Sequence, residues 1–339
     1  MDAEKCILIG TAICRKRRAE KCVCLLDSLI CGMPDGPTYP RACRAADGVA
    51  LASRLPGKVS MAQGISLHIG VNEVDPDHYA GWSGSLSACE ADARDYHTIA
   101  AARSFESRTL LTEAATREAV IMAVTGAAER LQMGDMFLLT YSGHGGQVPD
   151  TSGDEVDGFD ETWCLFDGQL IDDELFSLWT RFQPGVRILL ILDSCHSGTA
   201  MRAPQLIDRE SVTRGPVAAE LGIVGAAYRN MPRRESLRTY RRHREFYNGL
   251  QARISPPGDL RATVRSLSAC QDNQFSLDGF RNGLFTGTLL VVWDDGLFQG
   301  NYGSFHQQIL ELMPLNQSPN HLVIGPPNPS YDGETPFSL

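Results

Sequence analysis

Past residue 58 the sequence contains no lysine: Lys5, Lys16, Lys21 and Lys58 account for all four, and arginine supplies the basic side chains thereafter. It also lacks any run of 18 apolar residues, so no membrane-spanning helix is implied and no membrane partner is expected. A net charge of −10 over 339 residues leaves no basic footprint, which argues against nucleic acid as a partner. No Gly-x-Ser-x-Gly elbow supports a serine nucleophile. What is present is ample material for a core: 43% hydrophobic and 21% charged residues, at a length suited to one large domain or two small ones.

The composition breaks near residue 60. Residues 1–60 hold ten Lys and Arg against six Asp and Glu, whereas the rest holds 21 against 35. Six of the ten cysteines also fall there, without helical or alternating periodicity. The charges at Arg15–Arg18 follow the apolar run Cys6–Cys14, the wrong order for a signal peptide. Only Cys22-Val-Cys24 approaches a zinc spacing, and no histidine accompanies it. The stretch therefore reads as an extension of unassigned structure, with Met61 the natural start of a domain spanning 61–339. Cys89, Cys164, Cys195 and Cys270 then remain, too few for a disulfide framework, and a reducing, cytoplasmic setting is expected.

From Met61 onward, apolar strands alternate with helices. Ile65–Val71, Met136–Tyr141, Arg187–Leu192, Ala262–Leu267 and His321–Ile324 read as strands. Leu86–Ala102, Thr116–Leu131, Asp172–Arg181, Leu284–Trp293 and Tyr302–Leu312 read as helices, with Thr116 an N-cap. This pattern predicts an α/β fold with a mostly parallel central sheet covered on both faces. Residues 201–262 differ: they hold twelve arginines and no strong strand signal, and are expected to form a mobile insertion between a large and a small part.

The two most apolar strands each end in a reactive cluster, Ser142-Gly143-His144-Gly145-Gly146 and Asp193-Ser194-Cys195-His196-Ser197-Gly198. In parallel sheets, functional groups gather beyond the carboxyl ends of strands. A cysteine nucleophile needs a nearby base and backbone donors where negative charge develops. If these strands are neighbours, His144 can serve Cys195 as base, and the N–H groups of Gly145 and Cys195 can form an oxyanion hole. His196, adjacent to Cys195, is expected to point elsewhere. Cys270 superficially matches a caspase signature but lacks its following glycine.

These stretches, with Gly81-Trp82-Ser83-Gly84-Ser85-Leu86 leading to Ala88-Cys89-Glu90-Ala91-Asp92-Ala93 and with Ser268-Ala269-Cys270-Gln271-Asp272-Asn273-Gln274, resemble a metacaspase of the bacterial, orthocaspase kind. That family belongs to the caspase-like clan of cysteine proteases, and the resemblance covers residues 64–338. It implies a caspase-like three-layer α/β/α sandwich, a His144–Cys195 dyad working through a thioester acyl-enzyme, and cleavage after arginine or lysine of protein or peptide substrates. It also implies a pocket for the basic side chain built from Asp92 and Asp193, lined by Cys89 and Ser142, with Asp272 a weaker candidate. Carboxylates suit a guanidinium by charge and fork geometry.

The resemblance further implies a monomer and a calcium site using Asp157 or Asp160 with Asp172 and Asp173. The chemistry itself requires no cofactor. Arg202 stands where the family has a further aspartate, which points towards calcium independence. Arg233, Arg234, Arg241 and Arg242 are candidate self-cleavage positions in the Arg-rich insertion. A caspase-fold signalling or scaffold module without turnover is the alternative reading.

Overall fold

The computed structural model describes residues 62–153, 155, 157–195, 227–254, 258–270 and 274–339. The chain divides into two units, Met1–Val59 and Ser60–Leu339. The extension expected before Met61 lies outside the described residues, as do His196, Arg202 and Asp272.

In chain order the second unit comprises β1 (Gly64–Gly70), α1 (Cys89–Ala102), β2 (Glu106–Leu111), α2 (Arg117–Arg130), β3 (Met136–Ser142), β4 (Gly145–Pro149), β5 (Phe159–Leu165), β6 (Gly168–Ile171), α3 (Asp172–Trp179) and β7 (Arg187–Asp193). There follow α4 (Arg233–Arg242), α5 (Arg244–Gln251), β8 (Thr263–Ser268), α6 (Leu284–Trp293), α7 (Tyr302–Leu312), β9 (Asn320–Ile324) and the short α8 (Pro329–Gly333). Strands order as β2-β1-β3-β7-β8-β9 in a six-stranded sheet. All pairs in it are parallel except β8 with β9. A second, three-stranded antiparallel sheet runs β4-β5-β6.

The continuous apolar character of β3 and β7 follows from burial on both faces. Phe137, Leu139 and Tyr141 join Ile188, Leu190 and Leu192 in a core covered by α2 and α3. Their alternates Met136, Leu138, Leu189 and Ile191 enter the opposite core, beneath α1, α6 and α7. Three layers result, α/β/α, as the alternation of strand and helix requires. Thr116 caps α2 as expected, its side chain accepting from the Ala119 N–H at 3.2 Å.

Three parts depart from the sequence expectation. Strand β2 went unread because its polar residues alternate out of the core, with only Leu110 buried. The β4-β5-β6 sheet is built from Gly, Thr, Asp and Gln rather than an apolar run. Part of the Arg-rich segment expected to be mobile forms helices: α4 seats Ser236 and Thr239 against β4, and Ser236 Oγ donates to the Gln147 carbonyl at 2.8 Å. Tyr247 of α5 is buried with Val148 and Ile171.

Candidate active site

Pairing of β3 with β7 sets Ser142 opposite Asp193, so both reactive clusters leave neighbouring strand ends. Strand β4 then passes the second cluster closely: a Cβ on Gly145 would collide with the Cys195 carbonyl oxygen. Glycine is required there because two backbones meet.

His144 is buried and lies 4.8 Å from the Trp82 ring, centroid to centroid. Its Nε2 is 2.9 Å from the Gly84 carbonyl oxygen. A carbonyl can only accept, so Nε2 carries the proton and Nδ1 presents a lone pair. Nδ1 is buried without a hydrogen-bond partner among the described residues. Burial lowers the pKa of His144 from 6.5 to about 4, outweighing the Gly84 carbonyl, which favours the charged form. The imidazole is therefore a neutral base.

Cys195 is fully buried and its thiol pKa is raised, first by burial and then by the neighbouring Cys270 thiol. The Ser276 N–H donates to Sγ at 2.7 Å and partly offsets this. Resting thiol and imidazole are thus both neutral, and deprotonation has to accompany attack.

The backbone donors beside these groups are taken by the chain itself. The carbonyl oxygen of Arg229 accepts from the N–H of Gly145 at 3.0 Å and from the N–H of Cys195 at 3.1 Å. Its guanidinium is fully buried: Nη2 donates to Asp92 at 2.7 Å and to Asp278 at 2.9 Å, and Nη1 lies 3.0 Å from an oxygen of the Asp193 carboxylate. Nη1 also reaches the Asp193 carbonyl at 3.0 Å and Ser142 Oγ at 3.5 Å. Burial opposes the charge, but Asp193, Cys89, Asp92 and Asp278 together hold the guanidinium pKa well above its usual value.

The aspartates are themselves anchored by the start of α6. Asp92 accepts from the Gly283 N–H at 3.1 Å and from Asn282 Nδ2 at 3.0 Å. Asp193 accepts from the N–H and hydroxyl of Thr286, at 3.0 and 2.6 Å, and from Ser276 Oγ at 2.6 Å. A helix N-terminus favours such negative charge. Burial nevertheless raises Asp92 to about 7, against the pull of Arg229 and Asn282.

The structure brings together Asp92, Asp193, Ser142 and Cys89, all named from the sequence. It adds Asp278 and Ser276, which sequence reasoning missed. Arg233, Arg234, Arg241 and Arg242 occupy the first and last turns of α4. Arg229, four residues earlier than the first of them, is the arginine in the pocket.

For the metal, the described residues hold one cluster of three carboxylates able to share an ion, Glu155, Glu161 and Asp172. Of the expected ligands it includes Asp172 alone. Asp157 accepts from the Phe159 N–H at 3.1 Å, and the buried Asp160 from Gln251 Nε2 at 2.7 Å. The carbonyl-side neighbour Asp173 donates its N–H to Asp172 at 3.0 Å. Burial and then mutual repulsion raise Glu161 to about 7, and burial raises Asp172 to about 7. Hard oxygen donors held this close, and reluctant to ionise together, fit a hard divalent cation such as calcium.

Comparison with known proteins is consistent with this geometry. Residues 67–204 match the family model "Metacaspase, peptidase C14 domain". The chain is 29% identical over 304 residues to Metacaspase-1 of Schizosaccharomyces pombe, covering 80% of this chain and 69% of that protein. It is 32% identical over 246 residues to Metacaspase-1 of Mycosarcoma maydis, covering 66% and 59% respectively. A crystal structure of protein GSU0716 from Geobacter sulfurreducens is 50% identical, covers 82% of this chain and 99% of that one, and superposes with a TM-score of 0.72.

Proposed function

Because the chain belongs to the metacaspase family, we propose that it is a cysteine endopeptidase cutting polypeptides after arginine by a Cys195–His144 dyad. The observation that carries this reading is Arg229. Its side chain is bound by three carboxylates while its carbonyl oxygen takes two backbone N–H bonds beside a cysteine thiol. That is the arrangement a P1 arginine needs for attack.

The steps follow from the atoms present. As Sγ of Cys195 attacks the P1 carbonyl carbon, its proton passes to the lone pair on Nδ1 of His144. Negative charge growing on the carbonyl oxygen is met by the N–H groups of Gly145 and Cys195, already oriented and dry. The C–N bond breaks, His144 returns its proton to the departing amine, and a thioester remains on Cys195. Water then takes the place of the amine, assisted by the same imidazole, and the thiol is restored.

Specificity for arginine over aspartate follows from charge, since Asp92, Asp193 and Asp278 would repel an acidic P1 residue. Lysine, with one charge on a compact head, can meet fewer of these acceptors at once than a guanidinium fork. A calcium ion, if bound, would be held by Glu155, Glu161 and Asp172 and would supply counter-charge for that carboxylate cluster.

The test uses fluorogenic peptides ending in Arg, Lys or Asp with the full chain and its Cys195→Ala variant. Release after Arg that disappears in the variant is expected. Release after Asp would overturn the pocket assignment, and silence with every peptide would favour a scaffold without turnover.

A further inference from the structure

A proton taken from the thiol puts a positive charge on His144, in a place poorly suited to one. The residue is 4% exposed. Nε2 rests on the Gly84 carbonyl at 2.9 Å and Nδ1 has no partner among the described residues, so neither ring nitrogen lies on a carboxylate. In hydrolases with a third catalytic carboxylate, that group stabilises the imidazolium. Here burial opposes the charge most strongly and the Arg229 guanidinium opposes it further. The Gly84 carbonyl, the Asp278 carboxylate and the Asn230 backbone favour it, yet the neutral ring remains the preferred form.

Beside the imidazole stands the ring of Trp82. The two centroids lie 4.8 Å apart and the planes are tilted by 57°. A cation is attracted by the π electrons of an aromatic ring within about 6 Å of its centroid, and by indole most strongly. The contact is built by the loop between β1 and α1. The Gly81 N–H donates to the Pro76 carbonyl at 2.7 Å and the Trp82 N–H to the Tyr79 carbonyl at 3.1 Å. The Val74 N–H then donates to the Ser83 carbonyl at 2.9 Å, fixing the residue after Trp82 to the chain that leaves β1. The indole itself is half-buried and packs on the core beneath α2 and α3. Gly84 follows with φ 52°, and a Cβ there would lie 2.6 Å from Trp82 Cη2 and 3.0 Å from His144 Cδ2. Glycine lets three consecutive residues bring both an indole and a carbonyl against one imidazole.

We propose that Trp82 is a positioning residue whose indole supplies the negative potential that holds the His144 imidazolium between proton uptake from Cys195 and proton delivery to the leaving amine. The proposal rests on the arginine-directed dyad reading above. In it the Gly84 carbonyl fixes which nitrogen is free, and Trp82 steadies the ring once that nitrogen is protonated. The indole forms no bond and exchanges no proton. Because it is neutral, it attracts the transient cation without the full charge by which a carboxylate would protonate the resting base.

The experiment measures kcat, KM and their pH dependence on an Arg-ended fluorogenic peptide. It compares the full chain, Trp82→Leu, Trp82→Phe, and the full chain carrying mono-, di- or trifluorinated tryptophan. Trp82→Leu is expected to lose about thirtyfold in kcat, the factor a desolvated cation–π contact supplies. KM should stay unchanged, because Trp82 is not among the groups that hold the guanidinium. Trp82→Phe, a weaker π donor, should recover part of the loss. Each added fluorine withdraws π density at nearly constant size and should lower log kcat by a constant step. The same fluorination of Trp82→Phe, where only Trp163, Trp179 and Trp293 remain, should change nothing. A kcat flat across the fluorine series, or a series that persists in Trp82→Phe, overturns the role of Trp82 and leaves the dyad reading standing. So does a Trp82→Leu variant with unchanged kcat at pH 8 and an acid half-point raised toward 6.5, since Trp82 would then only shut out water. A wild-type chain that releases nothing from the peptide overturns the arginine-directed reading, and the role of Trp82 with it.

Discussion

Gly145 and Cys195 approach one another so closely that a Cβ on the first would collide with the carbonyl oxygen of the second, and their two N–H groups converge on one oxygen. In the proposed reaction this proximity would let the pair bind developing charge. Gly145→Ala should move one donor away from that position. Loss of one oxyanion donor costs about 10²–10³ in kcat, so kcat on an Arg-ended peptide is expected to fall by that order with KM little changed. A fall of less than tenfold would mean that the Gly145 N–H is dispensable.

Asp278 should matter through binding. Its carboxylate accepts from the guanidinium Nη2 and from the backbone N–H groups of Ser87 and Ala88. A hydrogen bond to a charged partner contributes about 1.5–3 kcal/mol. Asp278→Asn is therefore expected to lower kcat/KM for an Arg peptide by roughly 10–100-fold, chiefly in KM. An equal loss on kcat alone would instead indicate a disturbed thiol.

His144 sets an acid limit. Its proton affinity is depressed to about 4, so the imidazole stays neutral at pH values where an ordinary histidine is charged. Hydrolysis of an Arg-ended peptide, followed against pH, should hold its rate as pH falls from 7 and lose it near 4. A half-point near 6.5 would show that His144 is open to water during the reaction.

The Glu155, Glu161, Asp172 cluster makes a prediction about stability. Glu161 has a folded value of about 7, above its usual 4.5, so its contribution favours the fold at low pH and is lost as pH rises through about 7. Glu161→Gln should then raise the urea midpoint at pH 8 and leave it unchanged at pH 4. Millimolar calcium should raise the wild-type midpoint at pH 8 and have less effect on Glu161→Gln. No response to calcium in either protein would overturn the reading of this cluster as a calcium site.

Much of this site could be read in advance because its chemistry sits at chain landmarks. His144 and Cys195 follow the two most apolar runs, and parallel pairing brings such strand ends together whatever the intervening loops do. Asp92 and Asp193 were carried by the family resemblance and lie on an α1 face and a strand end. Asp278 had no such signal: it belongs to a Leu-Asp-Gly stretch that looks like a turn, and its role arises only from the backbone pairing of Tyr228 with Leu277. The four arginines singled out by local density fall in α4. Charge density on one side of a segment marks a solvated helix face, whereas a protease subsite requires extended backbone, and Pro232 marks the boundary between the two. Strand β2 went unread because its polar residues lie at the edge of the main sheet, and β4, β5 and β6 because their apolar residues come in short runs broken by Gly, Asp, Glu and Gln.

The burial of Cys195 beneath its own chain has a consequence for reagents as well as substrates. All four described cysteines are buried, so a thiol alkylator can reach Cys195 only when the chain around it opens. The labelling half-time of Cys195 then becomes a clock for that opening, readable without any substrate. A peptide that opens the chain around Cys195 sets the clock running faster.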